Sequence, residues 1–142
     1  MEPIIEFESQ VQLNECLQWW KERLFLSDWI ITAHTVSECP EGAGLNTSDY
    51  LHNCSVIKIV KAEKYGVERL MRYCAEKILV HELLHCKYCW LEYSSTSYCA
   101  AYTEAKEHML LEQMARTLIT VKYDLPPGWF ENTEITVGEG FV

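Results

Sequence analysis

The sequence ILVHELLH, at residues 78–85, decides how the rest of the chain is interpreted. A spacing of four residues puts His81 and His85 on one face of an α-helix, where their imidazoles can bind a single metal ion. Glu82 lies about 100° further round such a helix. Its carboxylate can therefore reach a water in an open coordination position without becoming a ligand itself. The stretch predicts a metal-binding helix with an acid–base group beside the ion.

Zinc is the predicted cofactor, with one ion per chain. It accepts imidazole and carboxylate ligands in a tetrahedron, and it lowers the pKa of a bound water to about 7. We expect this zinc-bound water to act as a nucleophile. Glu82 is accordingly predicted to be the general base, which takes the proton of the water and passes it to a leaving amine.

The third metal ligand is predicted to come from the last helix. Glu104, His108 and Glu112 are spaced by four residues, so they form one stripe along that helix. Glu112 is the predicted ligand, because apolar neighbours bury its part of the helix and Ala115 leaves room for close helix approach. His108 is the alternative, since imidazole binds zinc as well as carboxylate does. The residue that is not a ligand is a candidate to orient a liganding histidine through its other ring nitrogen.

Cysteines offer a different metal site. Cys86 and Cys89 have the Cys-x-x-Cys spacing of thiolate zinc sites, and Cys99 follows ten residues later. A second pair is missing, and a continuous helix is an unusual host for such a site. The sequence favours reduced thiols that are packed as small apolar side chains.

The order of the predicted elements indicates an α+β fold. Apolar residues at helical spacing alternate with β-branched runs and with segments rich in Gly, Pro and Ser. The predicted elements are a helix from Ser9 to about Phe25, a strand at Trp29–Val36, a loop at Ser37–Ser48, a strand within Tyr50–Val60, a helix from Val67 to about Cys89, a polar connection at Tyr93–Tyr98 and a helix from Cys99 to about Val121. In the second strand, Cys54, Val56 and Ile59 alternate imperfectly with polar neighbours, so a half-buried face is expected.

Composition limits the classes of partner. The 142 residues fit a single domain, 1–142, in which 124–142 form a C-terminal tail with one short strand at Glu134–Val137. A net charge of −9 argues against nucleic acid as a ligand. No apolar stretch approaches the roughly 18 residues of a membrane span, and no signal peptide is evident at the start. We therefore expect no membrane association and a cytoplasmic location.

The residues Ile78–His85, with Glu112-Gln-Met-Ala-Arg-Thr-Leu118 downstream, resemble the zincin metallopeptidases. The resemblance is to the gluzincin branch, whose third ligand is a glutamate on the next helix, in the minimal form of small bacterial and phage HExxH proteins. The metzincin branch is excluded, because Tyr88 and Leu91 stand where it requires Gly and His. The resemblance implies a zincin-like domain, with a small sheet packed against the HExxH helix and a second ligand helix.

The implied activity is that of a zinc metallopeptidase, a hydrolase of peptide bonds in peptide or protein substrates. The resemblance also implies an edge strand beside the active-site helix that binds an extended peptide, and Tyr50–Val60 is the candidate. Because no second lobe is present, a protein partner is expected to contribute specificity. The alternative function is a non-catalytic, zinc-containing protein-binding module with a structural metal site.

Overall fold

A computed structural model describes residues 1–40, 42–65, 71–89 and 100–131, and it has an α+β fold. Within these residues there are three helices and a three-stranded mixed sheet. In chain order the elements are α1 (Gln10–Arg23), β1 (Ile30–Val36), β2 (Gly44–Asp49), β3 (Cys54–Val60), a 3₁₀ turn (Ala62–Lys64), α2 (Ala75–Lys87) and α3 (Ala100–Tyr123). The predicted fold class is confirmed at this level.

Helix α1 lies where the sequence predicted it. Ser9 caps the helix, because its side chain accepts a hydrogen bond from the backbone nitrogen of Gln12 at 3.1 Å. One face is buried, with Leu13, Leu17 and Trp20 in the core. Helical spacing of apolar residues was thus a sufficient signal for this element.

The sheet has the order β1-β3-β2, with β3 parallel to β1 and antiparallel to β2. Strands β1 and β3 confirm the two predicted strands, but part of the predicted loop at Ser37–Ser48 is wrong, because β2 begins at Gly44. Its sequence, GLNTSD, has few residues that favour strands. Pairing with β3 and packing against α2 compensate for this weak local preference.

The edge strand beside α2 is β2, not Tyr50–Val60 as predicted. Strand β3 occupies the centre of the sheet and pairs on both sides, so its backbone cannot accept another strand. The predicted burial in β3 is confirmed for Ile59 and is wrong for Val56. Ser55, Ile57 and Ile59 are buried, whereas Val56 is 39% exposed. Because apolar residues occur on both faces of this strand, its sequence does not fix which face is buried, and tertiary packing decides it.

Helix α2 begins at Ala75 and not near Val67. The preceding residues are extended: Met71 bridges to Glu131, and the backbone nitrogen of Arg72 donates to the carbonyl of Phe130 at 2.7 Å. The helix prediction is therefore wrong over 71–74, and 66–70 lie outside the described residues. From Ala75 to Leu84 every residue of α2 is buried. The HExxH helix is the central helix of the domain.

The last helix was predicted correctly, and it ends at Tyr123 with Asp124 in the left-handed region at φ 52°. Part of the predicted tail is packed, since Phe130 is buried in the core. The predicted strand at Glu134–Val137 and the connection at Tyr93–Tyr98 lie outside the described residues. In the described part of the chain, no helix combines the length and apolarity needed to cross a bilayer.

A buried carboxylate joins the helices. Glu76 of α2 is fully buried, and it accepts hydrogen bonds from Trp20 Nε1 at 2.9 Å, Lys122 Nζ at 2.6 Å and the Tyr123 hydroxyl at 2.6 Å. The backbone nitrogen of Ile4 adds a further bond at 3.0 Å. Burial raises the pKa of Glu76, but these hydrogen bonds outweigh burial and hold the pKa below its ordinary value.

Replacing Glu76 by Gln is expected to lower the free energy of unfolding by about 2 to 4 kcal/mol, because Lys122 keeps a buried charge without its counter-ion. Urea denaturation followed by tryptophan fluorescence measures the change. Glu15→Gln is the matched control, since Glu15 is an exposed carboxylate on α1. Equal stability of Glu76→Gln and the wild type would contradict a stabilising role for the carboxylate.

The stabilising effect of Glu76 depends on pH. Because its pKa is lower in the folded state, the contribution is complete above the unfolded pKa of about 4.3 and is lost as the pH falls through the folded value. Between pH 7 and 3 the wild type is expected to lose more stability than Glu76→Gln. Denaturation at several pH values tests this, and parallel curves would contradict it.

Candidate metal centre

Three histidines from α2 and α3 converge on one point. His81, His85 and His108 each offer a ring nitrogen, and these three atoms lie within 4.8 Å of one another. The ring centroids of His81 and His108 are 4.6 Å apart, and those of His81 and His85 are 5.2 Å apart. His81 is buried, His85 is half-buried and His108 is exposed. The group is thus reached from solvent on the side of α3.

The hydrogen bonds of His81 fix which of its nitrogens faces the group. Nδ1 lies 2.9 Å from Glu112 Oε1, so Nδ1 carries the proton and donates it to the carboxylate. Nε2 is buried and has no hydrogen-bond partner in the described structure. Burying an imidazole nitrogen whose lone pair has no partner costs free energy, unless a ligand binds to that nitrogen. Its lone pair is available to a metal ion.

Glu112 was the predicted third ligand, but the structure places His108 in the three-nitrogen group instead. The carboxylate of Glu112 is engaged by Lys77 Nζ at 3.0 Å and by Arg116 Nε at 3.0 Å, in addition to His81. The carboxylate of Glu112 therefore lies where it can orient His81 through Nδ1, which is the role expected of the residue on this stripe that is not a ligand. Glu104 lies one turn before His108 on α3; it is exposed and is not a member of the group.

The electrostatics of Glu112 suit this orienting position. Burial raises the pKa of its carboxyl, but the hydrogen bond from His81 and the charge of Lys77 outweigh burial and lower the pKa to about 2. The carboxylate is therefore ionised at neutral pH. An ionised acceptor strengthens the bond from Nδ1, which leaves the proton of the neutral ring on Nδ1 and not on Nε2.

The donor set fits a divalent metal ion. Burial, together with the neighbouring His81 and His108, lowers the pKa of His85 to about 4, and burial also lowers the pKa of His108. Both rings are neutral at pH 7, which is the form that binds metal. Zinc with nitrogen ligands at about 2.05 Å requires nitrogens about 3.3 Å apart. The side chains must draw together slightly, and the exposed His108 has the freedom to do so.

Glu82 lies in the same cleft, as its position after His81 predicted. The cleft has a volume of about 320 Å³, and both His81 and His108 line it together with Glu82. Burial raises the pKa of the Glu82 carboxyl to about 7, and the positive charge of Lys77 opposes this rise. A carboxyl with a pKa near the working pH can both accept and return a proton.

The opposite wall of the cleft is the start of β2, which is held tightly against α2. A Cβ atom at Gly44 would lie 2.7 Å from Ile78 Cγ2 and 3.2 Å from Glu82 Cγ, so only glycine permits this approach. Two residues on, Asn46 Nδ2 donates to the Glu82 carbonyl at 2.8 Å and contacts Cys86 Sγ at 3.0 Å. Cys86 is thus engaged beneath β2, away from the histidine group.

Several residues of the site carried no local signal in the sequence. Lys77 and Arg116 form ion pairs with Glu112. Lys77 lies four residues before His81, and Arg116 lies four residues after Glu112. That spacing would have placed them on the functional faces of α2 and α3. Gly44 and Asn46 were assigned to a loop, so their contacts with α2 were not predicted.

Comparisons with known proteins give no match to this chain. No protein-family model, no curated protein and no solved structure matches it. The proposals below rest on the chain's own residues and their arrangement.

His108→Ala is expected to abolish stoichiometric binding of Zn²⁺, because it removes one of three nitrogens. Glu112→Gln should retain one ion per chain but weaken its affinity by about 10- to 100-fold, since the orienting carboxylate is lost. Competition with a chromophoric chelator measures both affinities. His34→Ala, a histidine on β1, is the matched control. Retained affinity in His108→Ala together with loss of the ion in Glu112→Ala would restore Glu112 as the third ligand.

Gly44→Ala is expected to destabilise the protein by about 1 to 3 kcal/mol, because the added methyl group overlaps Ile78 and crowds Glu82. Urea denaturation measures the effect. Thr47→Ala on the same strand is the control, since Thr47 is exposed. An unchanged midpoint in Gly44→Ala would show that β2 does not require this close approach.

Proposed function

We propose that this protein is a zinc-dependent metallopeptidase of the zincin type. His81, His85 and His108 hold the zinc ion, and Glu82 is the general base. The observation that carries the proposal is the convergence of three imidazoles, one with a buried and unbonded Nε2, together with a buried carboxyl, that of Glu82, which lines the same cleft as His81 and His108. This combination supplies both a metal site and a group for proton transfer.

Each residue has a distinct part in the proposed reaction. A bound zinc ion supplies Lewis acidity, which polarises a carbonyl and acidifies water. Glu82 takes a proton on its carboxylate and returns it to the leaving amine. Glu112 keeps His81 in the tautomer whose Nε2 faces the cleft. With His108 as third ligand, the chain departs from the glutamate pattern of the gluzincin branch that it resembles.

Strand β2 is the proposed site for the substrate backbone. It pairs with β3 on one side, and in the described part of the chain no strand pairs with its other side. Its first residue, Gly44, lines the cleft beside Glu82. An extended peptide added to this edge would form main-chain hydrogen bonds with β2 while one of its carbonyls lies in the cleft.

A structural metal site is the competing proposal. Structural zinc sites have four protein ligands and are closed, whereas catalytic sites have three and keep one position open. Among the described residues, the group that can hold a metal has three members, and His108 is exposed. Both features favour the catalytic site over the protein-binding module.

Glu82→Gln is expected to lower peptide hydrolysis by about 10²- to 10⁴-fold while one zinc ion per chain remains bound. The amide of Gln cannot accept a proton, so proton transfer is lost. Zinc stays bound, because residue 82 is not one of the proposed ligands. A library of fluorescence-quenched peptides reports cleavage, and elemental analysis reports zinc. Glu15→Gln is the control.

The competing proposal predicts a different set of results. A structural site would give zinc-loaded wild type that cleaves no peptide in the library, and a chelator would unfold the protein. An open catalytic site would release zinc to the chelator with a much smaller loss of circular dichroism. The first pair of results would overturn the peptidase proposal.

A further inference from the structure

A lysine lines the candidate cleft. Lys77 lies four residues before His81 on α2, and it belongs to the wall that contains His81, Glu82 and Glu112. Its side chain is only 7% exposed. A buried ammonium group needs an anionic partner. In the described structure, the hydrogen bonds of Lys77 Nζ go to the two oxygens of Glu112, at 3.2 and 3.0 Å.

Lys77 is one of three side chains that donate hydrogen bonds to the carboxylate of Glu112. His81 Nδ1 occupies one oxygen at 2.9 Å, and Arg116 Nε occupies the other at 3.0 Å. An ammonium group has three hydrogens, and the two oxygens of Glu112 accept two of those of Lys77, which leaves one among the bonds of the described residues. Lys77 therefore retains a capacity to donate towards the cleft that it lines.

The balance of charge in the cleft is positive once a divalent ion is bound. In the described part of the wall the charged residues are Glu82, Glu112 and Lys77, so a bound divalent ion would leave a surplus of one positive charge. The chain as a whole carries a net charge of −9. A local surplus of positive charge within an acidic protein favours an anionic group of the substrate at this position.

We propose that Lys77 is a specificity-determining residue that binds a carboxylate of the peptide substrate. This inference rests on the proposed peptidase function and adds a substrate class to it. Four residues of helix separate Lys77 from His81 by about 6 Å along the axis of α2. An extended peptide advances about 3.3 Å per residue. An extended peptide that runs parallel to α2 would therefore place the carboxylate bound by Lys77 about two residues from the scissile bond.

The carboxylate has two sources, and separate peptides distinguish them. It belongs either to an acidic side chain or to the C-terminus of a substrate that ends two residues after the cleaved bond. One peptide pair carries Glu or Gln two positions before or after the scissile bond. A second pair ends at that position as a free acid or as an amide.

The cleavage experiment compares kcat/KM within each pair for the wild type, Lys77→Gln, Lys77→Arg and Lys58→Gln. The wild type is expected to prefer the acidic member of at least one pair by about tenfold, as for one charge-assisted hydrogen bond. Lys77→Gln should lose this preference, and Lys77→Arg should retain most of it. Lys58, an exposed lysine of β3, is the matched control for loss of one positive charge.

A purely structural role for Lys77 gives a different result. If Lys77 only held Glu112, Lys77→Gln would lower zinc affinity and slow both members of each pair equally, leaving the preference unchanged. That outcome, or equal cleavage of both members by the wild type, would overturn the assignment of Lys77 while leaving the peptidase proposal intact.

Binding separates the two proposals from each other. Fluorescein-labelled hexapeptides of Ala and Gly with one Glu or one Gln are titrated onto zinc-loaded Glu82→Gln, with and without Lys77→Gln. A preference for Glu that disappears with Lys77→Gln would support the role of Lys77 even if the wild type cleaved nothing. A preference that survives Lys77→Gln would place the carboxylate on the metal and overturn the inference.

Discussion

The carboxylate of Glu76 is the interaction on which the arrangement of the helices depends. It is fully buried, and its ion pair with Lys122 joins α2 to α3 while bonds from Trp20 and Ile4 add α1 and the N-terminal segment. A carboxylate in this position would be strongly destabilising without its partners, so the contacts form together or not at all. These contacts hold the start of α2 against α1, α3 and the N-terminal segment.

The same pair of helices carries the candidate site further along their length. Glu76 contacts Lys122 near the end of α3, and His81 contacts Glu112 and His108 nearer its start, so the two helices run antiparallel. Their seam is lined by charged and polar groups rather than by apolar side chains alone. Such a seam specifies axial position, because a shift of one turn would leave buried charges unpaired. The position of the histidine group therefore follows from the packing of the fold.

Strand β2 contributes the other wall through small and polar residues. Gly44 gives the space for close approach to Glu82, and Asn46 bonds the backbone of the same residue. The strand is thus attached to the helix that carries the proposed general base. Its first residue, Gly44, lines the cleft, which places the start of the proposed substrate backbone site beside the proposed metal centre.

The sequence by itself determined the elements whose signal is local. Helical spacing identified α1 and α3, and the HExxH spacing alone placed His81, Glu82 and His85 on one helix. Tertiary structure brought His108, and not Glu112, into the histidine group, because residues on one stripe differ only in axial position, which packing against α2 sets. It also decided that β2 is a strand and which face of β3 is buried. Those features depend on pairing between distant segments, and periodicity within a segment contains no information about such partners.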